Sequence, residues 1–334
     1  MGQGAYIFGC SGTVLQSKEI AFFNESDPWG FILFARNVES PVQLRKLTND
    51  LRSSVGRDAP ILIDQEGGRV ARLTQPHWRQ WQAPLDQVAS YPDQAERSMY
   101  LRYRVIAAEL RDVGVDVNCV PCADIAFPDT HPVLHNRCYG SDAETVVRVS
   151  RHVANASLDG GVLPVVKHIP GHGRATLDSH VDLPRVGAGL SELEETDFST
   201  FRQLSDLPLG MSAHVVYDAL DKDPATTSKV MINRIRDDIG FDGLLMTDDI
   251  SMQALSGDVK SRTQASLRAG CDLILHCNGE RAEMEQIADT AGHLAQSAQK
   301  RADAAILARK TPKPFDITAA EAELESLLGE RING

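Results

Sequence analysis

Eight short apolar runs recur along the chain, mostly separated by stretches of helical periodicity, and this alternation confines the fold to α/β architectures built on a parallel sheet. The runs are Tyr6–Phe8, Phe31–Leu33, Ile61–Ile63, Val115–Asn118, Val162–Val166, Leu209–Ser212, Leu244–Thr247 and Leu273–His276. Between them, Ser40-Pro41 reads as an N-cap followed by N1, with Leu44, Leu47, Leu51 and Val55 on one helix face. Met99, Tyr103, Ile106, Leu110 and Val113 mark a long amphipathic helix, and Val146, Val149, Val153 and Ala156 mark another. Ser191 with Glu194 reads as a capping box ahead of Phe198 and Phe201. Ala-rich periodicity from Met284 to Ile306 predicts one long last helix.

A doubly wound sheet and a closed (β/α)8 barrel share this local pattern, so the position of the ionisable residues has to decide between them. In a barrel they sit just after several different strands. Asp64 follows the third run, Asp124 lies beyond the fourth, Lys167-His168 follow the fifth, His214 the sixth and Asp248-Asp249 the seventh. The sequence therefore predicts a (β/α)8 TIM barrel, a single domain over 1–334, with a peripheral C-terminal helical extension from about 311 that contains a helical pattern at Ala319–Leu328. No internal repeat, low-complexity linker or shift in composition marks a second domain.

A net charge of −12 and a pI near 5.3 argue against nucleic-acid or anionic-membrane partners. No apolar run approaches the roughly 20 residues of a membrane span. The start, MGQGAYIFGCSG, lacks the basic and apolar regions of a secretory signal, and Tyr6 stands where a myristoylation pattern has Ser or Thr, so the cytoplasm is expected. Cysteines 10, 119, 122, 138, 271 and 277 form no dense framework. Cys119-Val-Pro-Cys122 is a lone CxxC and reads as two small, half-buried residues rather than as zinc or redox chemistry.

Chemistry concentrates in Lys167–Pro184, KHIPGHGRATLDSHVDLP, where Pro170, Gly171 and Gly173 exclude a regular helix. A loop at a strand end can hold so many ionisable groups over a cleft, whereas a core cannot. Asp178 can orient the imidazole of His180 two residues on and raise its basicity. A metal site drawn from His168, His172, His180 and Asp178 is an alternative. In Asp64-Gln65-Glu66-Gly67-Gly68-Arg69, a strand-end carboxylate followed by two glycines suits ligand hydroxyls or a capped turn, and Arg69 and Arg72 suit either the surface or an oxygen-rich ligand. In GLLMTDDISM two aspartates end a buried strand and open a helix, with Asp249 its N-cap and Asp248 the candidate nucleophile or stabilising carboxylate in the barrel mouth.

Three motifs in this order, IDQEGGRVARL (63–73), KHIPGHGRATLDSH (167–180) and MTDDISM (246–252), resemble those of bacterial β-N-acetylglucosaminidases of glycoside hydrolase family 3, the single-domain NagZ type. The resemblance covers almost the whole chain. It implies a TIM barrel whose site lies at the C-terminal face, with Asp248 as catalytic nucleophile, His180 as general acid/base and Asp178 as its dyad partner. It further implies that Asp64, Arg72, Arg137, Lys167 and His168 bind the terminal sugar. Arg137 is carried from NRCYGSD, where the family has a segment nearer ERSF; Thr247 stands where serine is common, and Ile169 replaces an aromatic. The implied substrates are N-acetylglucosamine-containing cell-wall fragments, with no metal or cofactor, and the protein is expected to be a monomer.

An imidazole titrates near neutral pH and can both give and take the proton that a second carboxylate carries in most retaining glycosidases. A neutral base also repels anions less than a carboxylate does, so a phosphorylase on the same scaffold is an alternative. A metal-dependent hydrolase and a non-catalytic sugar-binding barrel are two more. The Gly/Pro-rich loop is expected to move, hinged at Pro170–Gly173, and to stand away from Asp248 when no sugar is bound.

Overall fold

The computed structural model describes residues 2–179 and 182–329. Eight parallel strands close into a barrel: β1 (Gly4–Gly9), β2 (Pro28–Leu33), β3 (Ile61–Ile63), β4 (Val117–Asn118), β5 (Leu163–Ile169), β6 (Leu209–Ser212), β7 (Leu244–Asp249) and β8 (Leu273–His276). Each strand pairs with its sequence neighbour, and β8 returns to β1 with Tyr6 opposite Ile274. Side chains alternate across each strand. Ile7, Ile32, Leu62, Val117, Val165, Leu209, Met246 and Leu275, one from each strand, fall in the cluster that fills the barrel. Phe8, Phe31, Ile61 and Ile63 belong instead to the layer shared with the helices.

The outer helices are α1 (Ser17–Ser26), α2 (Pro41–Val55), α3 (Ala95–Asp112), α4 (Ala143–Asp159), α5 (Asp197–Arg202), α6 (Lys229–Asp237), α7 (Val259–Ala269) and α8 (Arg281–Ala291). The Ser40 cap holds as read, its hydroxyl accepting from Gln43 N at 3.2 Å. The capping box at Ser191 does not form. A short helix starts one residue earlier, at Leu190, and Ser191 Oγ donates to Glu195 instead (3.1 Å). Glu194 reaches Arg202 and Arg234, and Phe198 and Phe201 lie on the separate helix α5.

The single last helix predicted over 284–306 is two helices, α8 and α9 (Gln296–Ala308). Gly292 leaves the helix at φ 62°, and Leu294 N donates to Gln3 O (2.9 Å), so pairing with the start of β1 replaces the helical ladder. The break lets α9 cross the floor of the barrel, where Ala302 and Ala305 join the interior cluster. Helix α10 (Ile317–Leu328) packs against α3 through buried Ala320, Leu324 and Leu328, and Glu323 forks onto Arg97 at 2.6 and 2.7 Å. Among the described residues no helix is long and apolar enough to cross a membrane.

Candidate active site

At the C-terminal ends of the strands lies a pocket of about 360 Å³, lined from several strand ends by Asp64, Arg72, Arg137, Lys167, His168 and Asp248 among others. Strand β5 runs through Ile169, so Lys167 and His168 belong to the strand rather than following it. This fixes both side chains on barrel backbone. Lys167 is fully buried, and its ammonium lies 2.7 Å from Asp64 Oδ1 and 2.6 Å from Glu66 Oε1. Arg137 forks onto Glu66 at 2.8 and 2.9 Å, and Arg72 reaches Asp64 Oδ2 at 3.3 Å.

Burial alone would push both carboxylates up. For Asp64 the cations Lys167, Arg72 and Arg137 outweigh it and hold the group well below the usual range. For Glu66, Arg137 and Lys167 do the same and hold it at about 2. The same pairs outweigh burial of Lys167 and Arg137 and raise both. The pocket floor is thus a fixed lattice of charge whose spare donors and lone pairs can grip hydroxyls. Glu66 was not singled out from the sequence; its signal was a second acid two residues beyond Asp64. Its carbonyl is pinned too, accepting from Arg102 (2.7 Å) and Tyr103 (2.9 Å). Gly67 makes that approach feasible: at φ 98° it has no Cβ, and one would meet the Arg102 guanidinium.

Asp124, noted in the sequence only for its position, organises the next layer. Its carboxylate takes the His168 Nδ1 edge at 2.7 Å and the backbone N–H of His172 at 2.6 Å. Burial raises the group, but His168 and His172 outweigh that and hold it at about 2. With Nδ1 committed to Asp124, His168 has Nε2 left for a ligand. Cys119 and Cys122 are fully buried, not half-buried as read, since β5 and its neighbours close over both. Donors of Cys122, Asp124 and His168 lie within 4.8 Å of one another, a grouping different from the histidine-loop metal set considered above. Asp124 already serves His168 and His172 in it.

The proposed hinge at Pro170–Gly173 is a clamped segment instead. All four residues are buried, Tyr217 donates to Gly171 O, and a Cβ on Gly173 would strike the Ile125 carbonyl. Arg174 is tied to Asp197 (2.7 Å) and lies 4.0 Å from the centre of the Phe127 ring. Exposure begins only at Thr176 and Leu177. Beyond them the chain turns back in. Ser179 lines the pocket with Asp248, its Oγ lies 3.3 Å from His172 Nε2, and its carbonyl accepts from Ala254 N (3.2 Å) on the loop after β7. The described part of this loop therefore borders the pocket that Asp248 also lines. Asp178 is half-buried beside it. His180, the predicted acid/base, lies outside the described residues.

Asp248 and Asp249 end β7, and both line the pocket. The helix expected to start at Asp249 begins ten residues later at Val259, capped by Asp258. Asp249 closes a turn instead, taking Ser251 N (3.2 Å) and Oγ (2.8 Å), and Cys277 N (3.3 Å) links it to the loop after β8. Asp248 Oδ1 accepts from Asp249 N at 2.8 Å. Thr247 uses its hydroxyl to accept from Leu275 N (3.0 Å), which fixes the register beside the aspartates. His214 is buried between Thr226 (2.8 Å) and the Asp249 carbonyl (3.0 Å), and burial lowers its proton affinity.

These environments predict a two-stage acid sensitivity. His172 is held at about 4, by burial first and then by His168, against its ordinary 6.5, so the unfolded chain takes up that proton first and stability falls between those values. Glu66 and Asp124 contribute above their ordinary values of 4.5 and 3.8, and that contribution is lost as pH falls towards about 2. Urea midpoints should begin to drop below about pH 6.5 and fall more steeply below about pH 4.5. A midpoint flat down to about pH 4 would contradict a buried neutral His172.

The family model described as the glycosyl hydrolase family 3 N terminal domain matches residues 24–307. This chain belongs to glycoside hydrolase family 3. Within the family, it is 37% identical over 283 residues to a beta-hexosaminidase of Alkalilimnicola ehrlichii, covering 82% of this chain and 81% of that one. Native NagZ from Neisseria gonorrhoeae superposes with a TM-score of 0.87 at 28% identity, covering 98% of each chain. The same protein in complex with N-trifluoroacetyl-D-glucosamine gives 0.86 at 29% identity, covering 98% of this chain and 99% of that one. The expected family and barrel are both borne out.

Proposed function

We propose that this family 3 barrel is a retaining exo-β-N-acetylglucosaminidase that removes non-reducing N-acetylglucosamine from muropeptide fragments in the cytoplasm, acting as a monomer and as one catalytic unit with a peripheral C-terminal helix. One observation carries the reading: Asp248 opens into the same pocket as Asp64, Arg72, Arg137, Lys167 and His168, so a sugar gripped by the floor presents its anomeric carbon to a strand-anchored carboxylate. The beta-hexosaminidase relatives and the NagZ complex with a glucosamine derivative support the choice of sugar.

In the first step Asp248 attacks the anomeric carbon while the bond to the leaving oxygen breaks and His180 gives that oxygen its proton. In the second, water attacks the same carbon, the ester to Asp248 breaks, and neutral His180 takes the proton from water. Asp178 favours the imidazolium needed first. His180→Ala should therefore slow an alkyl N-acetylglucosaminide by about two to four orders of magnitude and an activated aryl one far less. Equal losses on both substrates would remove His180 from the acid role. Product analysis with and without phosphate tests the overall reaction: free N-acetylglucosamine in both cases is expected, and a sugar 1-phosphate would make the protein a phosphorylase.

A further inference from the structure

The cations on the pocket floor are ion-paired with carboxylates, but two arginines at its mouth are not. Arg36, just after β2, donates through Nε to Cys10 O at 3.1 Å and through Nη2 to Cys277 O, with its guanidinium 5.1 Å from the centre of the Phe34 ring. Arg69, between β3 and α3, donates through Nη2 to Val133 O. Both are exposed, both line the pocket, and neither makes an ion pair among the described residues. Main-chain carbonyls aim a guanidinium without cancelling its charge, and each retains N–H donors for a further acceptor. Glu66 and Asp178 act on Arg69 through space, together with the repelling Arg137 and Arg72. In a chain of net charge −12, two guanidiniums held by main-chain carbonyls, with no ion-pair partner among the described residues, thus line one pocket.

We propose that Arg36 and Arg69 form an anion subsite at the pocket mouth that binds a carboxylate carried by the aglycone. The inference rests on the glycosidase reading above, in which the floor holds the terminal sugar and leaves the mouth to whatever that sugar is attached to. Phe34, half-buried and stacked beneath both Arg36 and Arg72 (5.2 Å), joins the floor to this rim. Arg36 and Arg69 are thus residues of specificity, which select among leaving groups.

The test compares kcat/KM for two aryl N-acetyl-β-glucosaminides, one with a carboxymethyl group on the ring and one with the matching carboxamide. The methylene keeps the two phenols similar in acidity, so their ratio reports the charge. Arg69→Gln and Arg36→Gln should each lower the carboxylate-to-carboxamide ratio by about ten-fold, the range of a charge-assisted hydrogen bond at a partly exposed site. For the wild type, the same ratio should fall as salt rises from about 0.02 to about 0.5 M. Because Arg36 ties the loops after β1 and β8 together, the salt series and Arg69→Gln keep the test independent of whether that variant folds.

A ratio insensitive to salt and to Arg69→Gln would overturn the subsite. Inorganic phosphate should compete with the carboxylate substrate more than with the carboxamide; if it were instead consumed to a sugar 1-phosphate in an arginine-dependent way, the anion would be phosphate and the aglycone assignment wrong. If wild-type enzyme cleaved neither glycoside, the glycosidase reading itself would have failed.

Discussion

Asp248→Ala is expected to lower kcat for a chromogenic N-acetyl-β-glucosaminide by about four to six orders of magnitude, the scale seen when a covalent nucleophile is deleted. The loss should fall on kcat and kcat/KM together, because the floor proposed to grip the sugar (Asp64, Arg72, Arg137, Lys167 and His168) is left in place. Azide, small enough to enter the space vacated by the carboxylate, should restore part of the turnover of an activated aryl substrate. It should do so with the opposite anomeric configuration, since it attacks from the nucleophile's side once only. A variant that kept wild-type kcat would remove Asp248 from the chemistry, whatever the family.

The largest effect on stability is expected at Lys167. Lys167→Met takes the cation from between Asp64 and Glu66, which it holds at 2.7 and 2.6 Å inside the barrel mouth. Breaking a buried pair by removing one partner costs about 3–5 kcal/mol, because the remaining charges are left in a poor solvent. Arg72 and Arg137 still serve those carboxylates, so the barrel should fold, with a lower urea midpoint and weak binding of sugar. Adding Glu66→Gln should recover part of the loss, since it removes one of the stranded charges. If Lys167→Met unfolded within about 1 kcal/mol of wild type, the floor lattice would not be the stabilising unit described here.

The strands were legible because each apolar run has a polar or turn-forming residue at one end at least, and three of the eight have the boundaries read from the sequence: Ile61–Ile63, Leu209–Ser212 and Leu273–His276. At the mouth ends of β5 and β7, charge hid the continuation of the strand. Strand β5 carries Lys167 and His168, and β7 carries Asp248 and Asp249, because a barrel mouth pays for ionisable strand residues with partners from other strands. Periodicity could not see the break at Gly292 either, since the partner that ends the helix is Gln3, nearly the whole chain away. Glu66 and Asp124 were missed for the same reason. Their roles lie in Arg137, Lys167 and His168, none of them near in sequence.

The motif loop changed most between sequence and structure. Composition suggested a hinge at Pro170–Gly173, where proline and glycine cluster, but burial against Ile125, Asp197 and Tyr217 uses those residues to let backbones pass closely. Glycine there serves packing. Any movement of the loop that carries the proposed acid/base must start beyond Ala175, in the exposed Thr176 and Leu177, and must release the Ser179 contacts with His172 and Ala254.

The central claim is that the sugar passes through an ester on Asp248. Mass mapping of enzyme quenched during turnover of a slow, ring-fluorinated N-acetyl-β-glucosaminide tests it most directly. The expected result is one sugar adduct, lost on mild base treatment, on the peptide that carries Asp248, with free product released in the β configuration. An adduct on another residue, or none while product is still formed, would contradict it.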